Sequence, residues 1–119
     1  MWFPPEHALP ARMRALCLPY PEAVEAISHG RCTFRAGKRQ FAIVGVGPEP
    51  AVLFIPDELE RPVLLERDDV FVPPYEGAYG WLAIRVEPEA GDWELLAELV
   101  DTSYRQVALQ RQLRALDGG

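Results

Sequence analysis

Two cysteines, Cys17 and Cys32, and two histidines, His7 and His29, are the side chains best suited to nucleophilic or metal chemistry. Their spacing supports neither. There is no CxxC pair, the histidines are isolated from each other, and no His, Cys and carboxylate set has conventional metal-ligand spacing. Either thiol with His29 would give a nucleophile and a base, yet no third orienting group and no elbow motif accompanies them. Gly45-Val46-Gly47 follows a strand pattern, as a dinucleotide loop does, but the third glycine is missing, Pro48 comes next and no βαβ unit follows. No catalytic residue, metal or cofactor is therefore assigned, and an uncharacterised enzyme is the remote reading.

Charge gives a second set. The 119 residues carry 12 Lys and Arg against 18 Asp and Glu, a net charge of −6. Residues 1–40 hold six basic against three acidic side chains, and residues 41–119 hold six against fifteen. The chain is thus polarised, +3 followed by −9. Arg31, Arg35, Lys38 and Arg39 gather around one predicted hairpin, which could act as a basic wing on phosphate. The plain alternative is a hairpin charged for solubility and edge protection. Asp57, Glu58, Glu60, Glu66, Asp68 and Asp69 form the densest acidic run. It has no EF-hand-like spacing, and Arg61 and Arg67 can pair with it locally, so it reads as a solvated face rather than a cation site. Tyr75 and Tyr79, in a Pro- and Gly-rich loop, could stack on bases or peptide beside Arg35 or Arg85. Phe34, Phe41, Trp81 and Trp93 read as core, and the Tyr104 hydroxyl is expected to find a backbone partner.

Local patterns set the elements that carry these residues. Leu9, Met13 and Leu16 recur at helical spacing, with Pro10 in the first turn and Pro19 and Pro21 stopping the helix. Glu22 to Ile27 fits helix or strand. Cys32–Ala36 and Gln40–Val44 flank Gly37-Lys38-Arg39 as a hairpin. A loop from Gly45 to Pro50 leads to a strand at Ala51–Ile55, and Asp57 caps a possible short helix before Arg67. Asp68 to Tyr75 is a short extended piece, and Gly80 to Val86 a strand with one apolar face. Asp92 caps a helix through Val100, and Thr102-Ser103 is expected to cap a second from Tyr104 to about Leu116. Strands joined by hairpins and followed by helices make an α+β class with a mainly antiparallel sheet. The length suits one domain over residues 1–119. Nothing approaches a membrane span, and Met1-Trp2-Phe3-Pro4-Pro5 does not read as a secretory signal, so a cytoplasmic protein with buried thiols rather than a disulfide is expected.

Leu18-Pro19 after the first helix, Gly30, Phe34-Arg35, Gly37-Lys38, Phe41-Ala42, Trp81, Asp92-Trp93-Glu94-Leu95, Leu99-Val100, Ser103-Tyr104 and Val107 occur in an order that resembles the bacterial MmcQ/YjbR family, from about Leu16 to Leu113. The resemblance implies a frataxin-like (CyaY-like) fold of two layers, a twisted antiparallel sheet with N- and C-terminal helices packed on one face. It also implies that Glu22 to Ser28 is the first strand. The family is often labelled DNA-binding, but it brings no established catalytic residues. Here Glu76-Gly77-Ala78-Tyr79-Gly80 stands where the family is usually basic, which weakens that label. The expectation is a small non-enzymatic binding module, monomer or weak homodimer, whose ligand meets the basic hairpin and the loop from Pro73 to Gly80 through Arg31, Arg35, Lys38, Arg39, Tyr75 and Tyr79. Nucleic acid is the candidate from the family label, and a protein or peptide is the alternative.

Overall fold

Along Arg31-Cys32-Thr33-Phe34-Arg35-Ala36, a strand must send Cys32, Phe34 and Ala36 to one side and the two arginines with Thr33 to the other. A computed structural model, which describes residues 8–46 and 49–118, shows that division across a whole sheet. Expectations placed on Met1 to Pro5, His7, Gly47 and Pro48 lie outside the described residues. The six strands are β1 (Ala23–Ser28), β2 (Arg31–Ala36), β3 (Arg39–Val46), β4 (Pro50–Phe54), β5 (Val70–Phe71) and β6 (Leu82–Arg85). They form one antiparallel sheet in the order β1-β2-β3-β4-β6-β5. Glu22–Ser28 is therefore strand from Ala23 onward, as the resemblance implied, and Glu22 enters it with a left-handed φ of 58°.

Helices α1 (Ala8–Cys17) and α3 (Trp93–Val107) pack on β3 and on each other, and α3 also reaches β4. Both lie on the side to which Phe34, Phe41, Phe54, Leu82 and Ile84 point, and there they bury Leu9, Met13, Leu96, Val100 and Tyr104. The β2–β3 ladder slips after Phe34: Phe34 faces Ala42 while Arg35 faces Gln40, which leaves Phe41 as an extra, bulged residue. The bulge lets Phe41 and Ala42 both enter this core. Phe41 meets the Tyr104 ring edge-on at 5.1 Å, and the Tyr104 hydroxyl donates to the Pro21 carbonyl at 2.7 Å. That is the backbone partner expected of Tyr104. Among the described residues, no helix is long and apolar enough to cross a membrane.

Four local expectations need correction. Thr102-Ser103 caps nothing, because α3 continues to Val107. Ser103 is fully buried, donates to the Phe41 carbonyl and accepts from the Ile55 amide at 2.9 Å, so its hydroxyl ties the helix to the sheet. The helix breaks instead at Ala108 and Leu109, both extended, and α4 (Gln110–Leu116) begins with the Gln112 side chain accepting from the Leu109 amide at 2.8 Å. Gly45 and Val46 belong to β3 rather than to a loop. Asp57 receives the Leu59 amide and so caps a turn, while α2 (Arg61–Leu64) starts later, from Glu60, without a side-chain cap. Finally, the segment ending in β6 has two apolar sides: Leu82 and Ile84 join the helix-side core, whereas Trp81 and Ala83 join Ile43 and Leu53 on the other.

Candidate functional site

The side of the sheet away from α1 and α3 is built by the opposite strand alternation. It presents Arg31, Thr33 and Arg35 from β2, Ile43 and Gly45 from β3, Ala51 and Leu53 from β4, Phe71 from β5, and Ala83 and Arg85 from β6. Its cover is the loop from Val72 to Gly80, with one 3-10 turn at Glu76–Tyr79. Gly77 lets this loop fold back on itself, since a Cβ there would lie 2.3 Å from the Val72 Cγ1 atom. Gly80 ends the turn at φ 95°, a conformation that favours glycine. Arg61 of α2 donates to the Gly80 carbonyl and pairs with Glu58, so the loop is tied at its far end.

Between loop and sheet lies a pocket of about 360 Å³. Its apolar surface comes from Gly45, Ala51, Leu53, Phe71, Pro73 and Pro74, and its charged rim from Arg31, Glu49, Glu76 and Arg85. Gly45 matters to this shape. A Cβ there would come within 2.8 Å of the Leu53 Cδ1 atom and push that side chain out of place.

The two arginines of the rim are held differently. Arg31 donates to Glu76 in a pair whose side chains are only 25% and 18% exposed. Burial opposes ionisation of Glu76, but the bond from Arg31, a backbone hydrogen bond and the nearby His29 outweigh it and hold the carboxyl below its usual range. Arg85 lies with its guanidinium carbon 4.7 Å from the centre of the Phe71 ring and donates to the Asp68 carbonyl at 3.0 Å. Its ionic partner, Glu49, stands 3.4 Å away and is 63% exposed. That is longer than the ~2.7–2.9 Å of a good charge-assisted bond.

Of the residues singled out in the sequence, Arg31 lies in this pocket and meets the loop that carries Tyr75 and Tyr79, both 84% exposed. Arg35 shares the same sheet face and is half-buried, with its Nε atom buried and without a hydrogen-bond partner among the described residues. Lys38 and Arg39 sit exposed at the β2–β3 turn. A strand advances ~3.3 Å per residue, so β2 keeps Arg31 and that turn roughly 17 Å apart. The four cations are therefore a line along β2, not a cluster at one tip. Sequence reading placed the loop from Pro73 to Gly80 at the binding surface, and Pro73 and Pro74 do line the pocket; it missed Glu49 and Phe71, and it did not pair Glu76 with Arg31. The available signal was Phe71 followed by two prolines and an exposed arginine, Arg85, closing a buried strand.

The remaining reactive groups lie elsewhere. Cys17 and Cys32 are buried free thiols. Burial pushes the Cys17 thiol up strongly, and burial with the neighbouring Glu25 carboxylate pushes Cys32 up to about 12. Glu25 accepts from Cys32 at 3.2 Å, and its bond from Arg14 keeps it ionised below the usual range despite partial burial. In the acidic run, Glu58 pairs with Arg61 and Asp69 with Arg67, each at 2.9 Å. Among the described residues, no three His, Cys, Asp or Glu side chains converge as a metal set would.

A family model described as YjbR matches residues 18–106. No curated protein matches the chain. Among solved structures, it is similar to the crystal structure of a Deinococcus radiodurans protein with the domain DUF419, at 17% identity and a TM-score of 0.71. That likeness covers 90% of this chain and 86% of the other, and it shows the α+β fold.

Proposed function

The chain belongs to the YjbR family, and we propose that it is a binding module that takes a peptide or protein segment on the face of its sheet opposite α1 and α3. The observation that carries this reading is the pocket of about 360 Å³ beneath the Val72–Gly80 loop. Ligand pockets run from ~300 Å³ upward and are mostly apolar with a few placed polar groups. This one is at the small end, suited to one large side chain. Its rim holds two arginines and two glutamates, whose charges cancel. A uniformly anionic polymer gains little from such a rim, whereas a peptide can answer both signs. Exposed Val72, Tyr75 and Tyr79 extend the contact area beyond the mouth, and tyrosine is enriched at protein interfaces. Binding rather than covalent chemistry is favoured because Cys17 and Cys32 stay protonated at neutral pH.

The test is a peptide-display selection on the folded protein, followed by affinity measurements on the best peptide. Phe71→Ala should weaken that peptide by about tenfold or more. Unchanged affinity in Phe71→Ala would remove the pocket from the account.

One observation favours nucleic acid as a second reading: Arg35, Lys38 and Arg39 form no ion pair among the described residues. Three phosphate contacts give weak affinity that falls steeply with salt. Arg35→Ala with Arg39→Ala should abolish binding to single or double strands at low salt. Absence of such binding in the unmodified protein would end this reading.

A further inference from the structure

We infer that the pocket takes an apolar or aromatic carboxylate, whose hydrocarbon part rests against Leu53, Phe71 and the Pro73-Pro74 wall while its carboxylate replaces Glu49 on Arg85. This rests on the reading of the pocket as a binding site and adds the class of ligand.

The two rim arginines lead to this choice. Arg31 is committed, because Glu76 meets it in a largely buried pair that a ligand would have to break. Arg85 is oriented but not committed. Phe71 supports its guanidinium from one side and the Asp68 carbonyl takes one N–H, so the group is already held in place. Its one close ion pair among the described residues is with Glu49, which is mostly in solvent and 3.4 Å away, while the Asp69 carboxylate, already paired with Arg67, feels its charge from farther off. Moving Glu49 into water disturbs little, and Arg85 then presents donors to whatever occupies the pocket. Exchanging one carboxylate for another leaves the charge of the rim unchanged. The gain comes from burying the ligand's hydrocarbon over an apolar floor, and Arg85 sets which end points outward. The floor itself offers no competing donor: Ala51, Leu53, Pro73 and Pro74 bring no polar side chain.

Two sources carry this chemistry, a free small acid and the C-terminal carboxylate of a peptide ending in a large apolar residue. Four probes separate them: phenylpropionate, phenylpropanamide, a short peptide ending in free Phe, and the same peptide amidated. Each is titrated into the protein while amide chemical shifts are followed. Both acids should displace signals of Leu53, Phe71 and Arg85, and each should bind about tenfold or more tightly than its amide. Arg85→Gln should erase that preference, and Arg85→Lys should retain part of it in a spectrum that reports the fold intact. Glu49→Gln, which removes the internal competitor, should tighten both acids by about threefold and leave the amides unchanged. A peptide that binds well above phenylpropionate identifies a chain end as the ligand; equal affinity identifies a small acid.

Failure of both acids to bind overturns the inference, as does a tighter grip on the amides or a loss of acid affinity in Glu49→Gln. If the amides displace the same pocket signals as strongly as the acids, the pocket reading stands and the carboxylate falls. Displaced signals confined to Lys38 and Arg39 would instead bring down the reading of this face as the binding surface.

Discussion

On one side of the sheet, Phe34, Phe41, Phe54, Leu82 and Ile84 are closed from solvent by two helices that add Leu9, Met13, Leu96, Val100 and Tyr104. On the other, Ile43, Leu53, Trp81 and Ala83 form a core of four buried residues under a single loop, and beside them a pocket stays open. The same strands supply both sides. On the helix side Tyr20, Phe41 and Tyr104 meet as tilted and edge-on rings at the centre, and the openings described there lie at its margins, one of about 430 Å³ beside α1 and Trp93. The contrast assigns stability mainly to one face and recognition to the other. Interior packing leaves no room for a ligand where it is complete, so a binding site belongs where the cover is thin.

That division can be broken first by truncation. Tyr104→Ala removes a ring with no solvent exposure and its bond to Pro21, and should cost about 3–5 kcal/mol in urea unfolding. Trp81→Ala, on the open side, should cost less, about 3 kcal/mol or below, because the loop above it can settle into the space. Equal or reversed costs would mean that the loop-covered cluster is as structural as the helix-covered core. Ser103→Ala should come next, at about 1–3 kcal/mol, since it strands the Phe41 carbonyl and the Ile55 amide at the joint between α3 and the sheet.

A smaller effect concerns the pair at the pocket rim. Glu76 has its folded-state pKa below the ordinary 4.5. Its contribution to stability is therefore complete above that value and disappears as pH falls through the folded pKa. Comparing the unmodified protein with Glu76→Gln, the stability difference should shrink on acidification through the carboxylate range. A difference that grows instead would show that Arg31 does not favour the charged form. The smallest effect is expected at the β2–β3 turn, where Lys38→Ala with Arg39→Ala should change stability by no more than about 0.5 kcal/mol.

Much of this architecture was readable in the residues because it depends on local chemistry. Gly37, with φ of 67°, makes the β2–β3 turn that β-formers on either side announced, and Asp92 accepts the Leu95 amide as an N-cap should. Ser103 misled because its type favours caps, and only a fold that brings Phe41 and Ile55 to α3 gives its hydroxyl better partners. The pocket was hardest to see. Arg31 and Glu76 are 45 residues apart, Glu49 just precedes β4 while Arg85 ends β6, and only sheet order β2-β3-β4-β6-β5 gathers them. The charge runs +3 and then −9 along the chain, but pairing redistributes it: Arg31 is neutralised, and half-buried Arg35 with exposed Lys38 and Arg39 is left as the basic remainder of that hairpin.

The most direct test of the contrast is an amide chemical-shift map of the protein saturated with a selected peptide. The account predicts displaced signals at Gly45, Leu53, Phe71, Glu76 and Arg85, with Leu96, Leu99 and Val100 on the helix side unmoved. Signals displaced along α3, with those of the pocket unchanged, would contradict it.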